Sequence, residues 1–229
     1  MHHKKIVAAI VLMAASHSVF AGSGVVLGST RVVYDANNKE ASITVNNRSA
    51  DQYFLVQSWV DDKSGNKKVP FAITPPLFRL NANKENMLRI IKTADTLPAD
   101  RESIYWVNVK AIPPAPEGEA AQNVLQLAIK TRVKLFYRPK GLPGKAVDAP
   151  AALQWAHQGN TLVVTNPTPY SVTLNAVQIA GKNVPDVDLV MPKETTTITL
   201  PSGVTGNSVA FTTINDFGGI SPEITAQVK

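Results

Sequence analysis

The sequence predicts an all-β protein made of two β-sandwich domains, on three observations. Short runs rich in β-branched and aromatic residues recur along the chain, clusters of polar turn formers separate them, and helical periodicity is scarce. This strand-and-turn cadence is typical of β-sandwiches and differs from the alternating helices and strands of α/β enzymes.

The first half of the chain contains four clear strand candidates before its midpoint. They are residues 25–27, 31–34, 41–45 and 53–60, and polar turn residues lie at 35–38, 46–49 and 61–66. Alternating or fully apolar runs of this length, bounded by Asn, Asp, Ser and Gly, indicate strands joined by turns.

The cadence resumes after a short linker. Lys140–Lys145 carries two glycines and a proline, which is typical of a connection between domains. Beyond it lie strand candidates at 153–155, 161–165, 171–174 and 195–200, with turns at 157–160 and 166–170. We therefore expect a first domain over residues 22–141 and a second over residues 142–229.

The first 21 residues read as a cleaved secretory signal. A basic start, His2–Lys5, precedes an apolar run from Ile6 to Ala15, and Val19 and Ala21 stand at the −3 and −1 positions before Gly22. The apolar run is shorter than the roughly 20 residues that a membrane-spanning helix needs. We expect an exported, periplasmic protein whose mature chain begins near Gly22.

Charge and composition exclude several classes of function. Without Lys4 and Lys5 the chain has 21 basic and 17 acidic residues, a net charge of +4, and the basic residues are dispersed rather than clustered as in a nucleic-acid site. Cysteine is absent, which excludes thiol chemistry and Cys-ligated zinc. His157 is the single histidine beyond the signal, and we place it in a hairpin turn at the surface. No catalytic residue, metal, cofactor or small-molecule substrate is expected.

The segment from Asn123 to Pro139 is the most informative part of the sequence. Leu125, Leu127 and Ile129 alternate, so in a strand they share one face. Periodicity alone favours the simple interpretation that these three side chains fill the core of their own domain.

Four stretches resemble the periplasmic pilus-assembly chaperones. They are residues 97–113 (LPADRESIYWVNVKAIP), 134–139 (KLFYRP), 74–80 (TPPLFRL) and 214–219 (INDFGG). The resemblance extends from about Gly28 to the last strand. It implies two immunoglobulin-like sandwiches with a cleft between them, and a protein that is not an enzyme.

The resemblance also implies a mechanism and its residues. Such a chaperone lends a strand to a pilus subunit that lacks one, a mode of binding called donor-strand complementation, and delivers the subunit to an outer-membrane usher. By position, Leu125, Leu127 and Ile129 are the donated side chains. Arg31 and Lys134 match the pair that binds the subunit's C-terminal carboxylate, a role that suits a guanidinium and an ammonium. An interdomain ion network is expected from the matching positions Glu102, Arg138 and Asp216.

Two details of the resemblance raise further expectations. Lys134 has the opposite parity to Leu125, Leu127 and Ile129, so a bulge, a twist or a change of packing partner must intervene between 129 and 134 if all four contact the subunit. The polar loop at 115–122 is short and has no flanking cysteine pair, which resembles the short-loop class of these chaperones.

The main alternative is an exported structural component of a fibre, a pilus subunit or adhesin with immunoglobulin-like domains. A subunit is expected to carry an N-terminal extension of alternating apolar residues and to lack the Arg31–Lys134 pair. The segment at residues 22–29 is short and contains glycine, which argues against that alternative. Pilus subunits and an usher are therefore the expected partners.

Overall fold

A computed structural model of the chain describes residues 24–115 and 125–229. The predicted signal segment, residues 1–21, lies outside the described residues, as do residues 116–122 of the loop that predicts the short-loop class. Within the described part, no helix is long and apolar enough to cross a bilayer.

Nine strands form the first sandwich, and their alternating apolar residues close its core. They are β1 (Val25–Leu27), β2 (Arg31–Asp35), β3 (Glu40–Asn47), β4 (Phe54–Asp61), β5 (Phe71–Thr74), β6 (Leu77–Leu80), β7 (Glu85–Lys92), β8 (Ser103–Ile112) and β9 (Ile129–Arg138). One sheet has the order β1-β3-β7-β5 and the other the order β2-β9-β8-β4-β6. Val45, Leu88 and Leu135 are fully buried between them, as period-2 alternation requires.

The second sandwich follows a short 3-10 helix, Ala146–Ala152, and contains eight strands. They are β10 (Gln154–Gln158), β11 (Thr161–Thr165), β12 (Val172–Ile179), β13 (Lys182–Asn183), β14 (Leu189–Val190), β15 (Thr195–Thr199), β16 (Ser208–Ile214) and β17 (Ile224–Gln227). One sheet is β10-β11-β15, and the other is β13-β12-β16-β17 with β14 beside β12. Trp155 and Phe211, with ring centroids 5.0 Å apart, lie in its core.

The predicted all-β, two-sandwich fold is confirmed. One local prediction is wrong in detail: His157 lies at the end of β10 rather than in the turn, half-buried, with Nε2 2.7 Å from the carbonyl oxygen of Gly206. The hairpin itself is present, since β10 pairs with β11 across Gly159 and Asn160. The connection between the sandwiches runs over residues 139–145 and includes the position where we expect the domain boundary.

Strand β9 has different neighbours along its length, and this positions the candidate site. Residues 129–137 pair with β8 in one continuous antiparallel register. On its other edge β9 pairs in parallel with β2, but only from Lys134 onward, where Lys134 lies opposite Arg31. No strand in the described ranges pairs with that edge at residues 129–133. The first half of β9 therefore has an open edge.

Candidate functional site

The site is a cleft between the two sandwiches, floored by the ends of β2 and β9. Arg31 opens β2, and Lys134 lies beside it in the parallel pair, so both side chains project from the same face of the sheet. Residues of the second sandwich, including Asn175, Asp188 and Ile214, line the opposite wall. The structure thus brings the two predicted anchor residues together where the domains meet.

The guanidinium of Arg31 is buried and only partly satisfied. Its Nη1 donates to the carbonyl oxygen of Ile214 at 2.9 Å, and its Cζ lies 5.3 Å from the centroid of the Phe136 ring. Among the described groups, no acceptor lies within hydrogen-bond distance of Nε. Burial lowers the pKa of Arg31, and the negative charges of Asp216 and Asp188 oppose that shift. The residue remains a cation with donor capacity to spare.

Lys134 already contacts a carboxylate that the sequence did not reveal. Its Nζ lies 2.5 Å from Oδ1 of Asp188, which belongs to the second sandwich. Asp188 stands in the loop between β13 and β14, a part of the chain that carries no motif. Only the three-dimensional fold brings it to Lys134.

The three predicted donor side chains are exposed. Leu125, Leu127 and Ile129 have relative exposures of 81%, 66% and 64%. The simpler interpretation, that they fill the core of their own domain, is therefore not what the structure shows. Leu125 and Leu127 precede β9, which begins only at Ile129, so the expected strand over the donor residues is shorter in the free chain. Within β9, Val133 and Leu135 continue the face of Ile129 into the domain core.

The difference in parity between Lys134 and the donor positions has a clear structural basis. The β8–β9 register is continuous from Ile129 to Tyr137, so no bulge brings Lys134 to the face of Leu127. The packing partner changes instead, because β2 begins opposite Lys134. A ligand lying along the open edge of β9 would contact the donor face along its length. One end of the ligand would reach the start of β2, where Arg31 and Lys134 lie.

Glu102, Arg138 and Asp216, where an interdomain ion network is expected, lie within hydrogen-bond distance of one another through Arg138. Arg138 donates from Nε to Glu102 at 2.6 Å and from Nη1 and Nη2 to the two oxygens of Asp216 at 2.8 and 3.1 Å. The second oxygen of Glu102 accepts the backbone N–H of Ser171 at 2.8 Å. The Arg138–Asp216 contact is bidentate, the geometry in which arginine recognises a carboxylate most specifically.

The electrostatics of the network follow from its burial. Glu102 is 2% exposed, and burial raises its pKa, while the positive charge of Arg138 opposes that shift. For Arg138, burial disfavours the charged form, but the hydrogen bonds and charges of Asp216 and Glu102 outweigh it and raise the pKa. Two residues of the first sandwich and one of the second are thus held in a single hydrogen-bonded cluster.

Two further interdomain contacts escaped sequence reasoning. Lys193 Nζ lies 2.7 Å from Oδ2 of Asp100, which also pairs with its neighbour Arg101. Gly218, with φ of +85°, approaches so closely that a Cβ there would lie 2.5 Å from Oγ1 of Thr30. A side chain at 218 would be strained by the backbone conformation and would collide across the cleft. The exposed Lys193 carries no sequence signal of its contact, and the family-like stretch 214–219, to which Gly218 belongs, does not by itself indicate the close approach to Thr30.

The fold and the site together define a class of protein: two linked sandwiches with a basic pair in the cleft and an apolar, open-edged strand leading into it. Comparison with known families is specific. Residues 24–143 match the model described as "Pili and flagellar-assembly chaperone, PapD N-terminal domain", and residues 148–225 match "Pili assembly chaperone PapD, C-terminal domain". The chain belongs to the pilus-assembly chaperone family.

Individual relatives agree with this assignment. The chain is 49% identical over 224 residues to the chaperone protein LpfB of Salmonella typhimurium, covering 96% of each chain. It is 40% identical to the chaperone protein FimC of Escherichia coli K12, covering 96% of this chain and 91% of FimC. Among solved structures, the Salmonella enterica SafB chaperone in complex with the SafA pilin matches with a TM-score of 0.82 and 37% identity, over 89% of this chain and 96% of the other. These relatives support a chaperone rather than a fibre subunit.

Proposed function

We propose that this protein is a periplasmic chaperone that binds pilus subunits by lending them residues 125–133, which comprise the segment just before β9 and the first half of that strand. It caps the subunit until an outer-membrane usher receives it, and this role requires no catalysis. The observation that carries the proposal is the open edge of β9 at residues 129–133, which leads directly to the Arg31–Lys134 pair.

The open edge supplies the backbone part of the interaction. An unpaired strand edge presents N–H and C=O groups that pair readily with another chain. β2 occupies the same side of β9 from Lys134 onward, so a strand added at residues 129–133 lies in line with β2 and ends where β2 begins. If its C-terminal carboxylate reaches Arg31 and Lys134, the added strand must run parallel to β9.

The exposed apolar row supplies the side-chain part. Leu125, Leu127 and Ile129 would enter the groove of a subunit whose sandwich lacks a strand. Full burial of a large aliphatic side chain contributes roughly 1.5–3 kcal/mol, so the three together would contribute several kcal/mol before the cost of ordering is subtracted. A subunit groove that accepts this row must itself be apolar. A subunit without the chaperone would expose that groove and would therefore tend to aggregate.

The cation pair supplies the register. Period-2 alternation alone leaves the position of an added strand ambiguous by two residues, because a shift of two restores the same face. A carboxylate bound at the end of the strand removes that ambiguity. Arg31 suits the role because it is buried and held by the Ile214 carbonyl and Phe136, which preorganise its guanidinium.

The interdomain network would hold the cleft at the angle the subunit requires. Arg138 links Glu102, on the first sandwich, to Asp216, on the second, so its charge-assisted hydrogen bonds connect the two domains. We therefore assign Glu102, Arg138 and Asp216 a positioning role rather than a role in direct contact with the subunit.

Substitution of either anchor residue tests the proposal. We expect Arg31→Ala and Lys134→Ala to remain folded and to lose most of the subunit recovered by pull-down from periplasm after co-expression, because a bound carboxylate would lack its partner. Arg89→Ala and Lys39→Ala remove the same charges from exposed positions away from the cleft and serve as matched controls. Thermal unfolding of each variant separates loss of binding from loss of the fold. Recovery equal to wild type in both anchor variants would show that the pair does not hold the subunit.

A further inference from the structure

Asp188 places a carboxylate on the anchor lysine before any subunit arrives. Its Oδ1 lies 2.5 Å from Nζ of Lys134, and its side chain is 67% exposed. The loop that carries it is held by the backbone, since Leu174 N–H donates to the Asp188 carbonyl oxygen at 2.7 Å. The carboxylate is therefore presented by a fixed backbone while its side chain remains free to rotate into solvent.

This carboxylate has the chemistry of the ligand that the site is proposed to bind. A subunit's terminal carboxylate and the Asp188 side chain offer the same two acceptor oxygens to the same ammonium. Lysine can donate to two carboxylates, but two anions within hydrogen-bond distance of one ammonium repel each other. An incoming carboxylate must therefore either displace Asp188 or bind against its charge.

We propose that Asp188 is an internal competitor for the anchor: it occupies Lys134 in the free chaperone and weakens the binding of the subunit's C-terminal carboxylate. The inference rests on the proposed function of Arg31 and Lys134. It adds a residue of the second sandwich that lowers affinity for the subunit and thereby eases its release. It also keeps the anchor from retaining other carboxylates through Lys134 alone.

The exposure of Asp188 explains why the competition is mild. Its side chain is 67% exposed, whereas the Glu102 carboxylate that pairs with Arg138 is 1% exposed, and an ion pair whose carboxylate is open to solvent is screened and more easily exchanged. We therefore expect removal of the Asp188 charge to strengthen carboxylate binding by roughly two- to five-fold, the change that corresponds to an ion pair of up to about 1 kcal/mol.

Asp188→Asn tests the inference, because it keeps the side-chain shape and removes the charge. The probe is the fluorescein-labelled peptide Lys-Thr-Val-Thr-Val-Thr-Val-Thr-Tyr, made with a free C-terminal carboxylate and, separately, with a C-terminal carboxamide. Affinities are measured by fluorescence anisotropy at one ionic strength. We expect Asp188→Asn to bind the free acid more tightly than wild type does and to bind the carboxamide no differently.

Two further variants make the result specific. Asp186→Asn removes a charge from the same loop, at a position with φ of +55° that asparagine tolerates, and should leave both affinities unchanged. The double variant Arg31→Ala/Lys134→Met should abolish the preference for the free acid, because both cations of the anchor are removed. If it does not, the proposed anchor is wrong. If it does, while Asp188→Asn leaves the affinity for the free acid unchanged or weakens it, the anchor stands and Asp188 is not a competitor but a residue that orients the lysine.

Discussion

The two halves of β9 have the same alternation of apolar residues but differ in strand pairing and in burial. In the second half, β8 and β2 pair with both edges, and Leu135 is fully buried in the core of the first sandwich. In the first half, β8 pairs with one edge, and Ile129 remains exposed on the same face. Side-chain pattern therefore determines which face is apolar, whereas the neighbouring strands determine whether that face is buried within the domain.

The largest effect on stability is expected at Leu135, in the buried half of β9. Leu135→Ala should lower the free energy of unfolding of the first sandwich by about 2–5 kcal/mol, because it removes a fully buried side chain and leaves a cavity. Urea unfolding, followed by tryptophan fluorescence, measures the change, because Trp59 and Trp106 lie in the first sandwich. A loss below about 1 kcal/mol would mean that the second half of β9 is not part of a close-packed core.

A smaller effect concerns how the two sandwiches are held relative to each other. Asp216→Ala should lower stability by at most about 1 kcal/mol, because Asp216 is partly exposed and Arg138 keeps its contact with Glu102. The change should instead broaden the distribution of interdomain angles, because the bidentate contact across the cleft is lost. Small-angle scattering compares this variant with Glu223→Ala, which removes an exposed acidic side chain from the same sandwich. Identical scattering profiles would exclude a role for Asp216 in fixing the angle.

Much of the fold follows from local pattern, and the cleft does so only in part. Runs such as residues 41–45 and 161–165 predicted strands because alternation and turn residues are local properties of the chain. The proximity of Arg31 to Lys134, and of Arg138 to Glu102 and Asp216, was expected through family resemblance and not through spacing, because these contacts join residues far apart in sequence.

The parts that could not be predicted are contacts made by a single exposed side chain or a single glycine. Asp188 and Lys193 lie in loops whose composition is that of any exposed surface, and Gly218 lies in the family-like stretch 214–219, which does not indicate the residue that it approaches. Their importance comes from where the second sandwich places them against the first. That placement depends on the packing of two whole domains, and no period or motif encodes it.

The smallest effect on stability is expected at Leu127, whose side chain is exposed. Leu127→Ala should change the free energy of unfolding by less than about 0.5 kcal/mol, because the side chain is 66% exposed and contributes little to the core. The same change should reduce the amount of subunit recovered from periplasm, because a donated side chain would be shortened to a methyl group. Leu135→Ala is its matched counterpart, the same substitution at a buried position of β9. A large loss of stability in Leu127→Ala, with subunit recovery unchanged, would assign Leu127 to the domain's own core and remove the distinction between the exposed residues that lead into β9 and the buried second half of the strand.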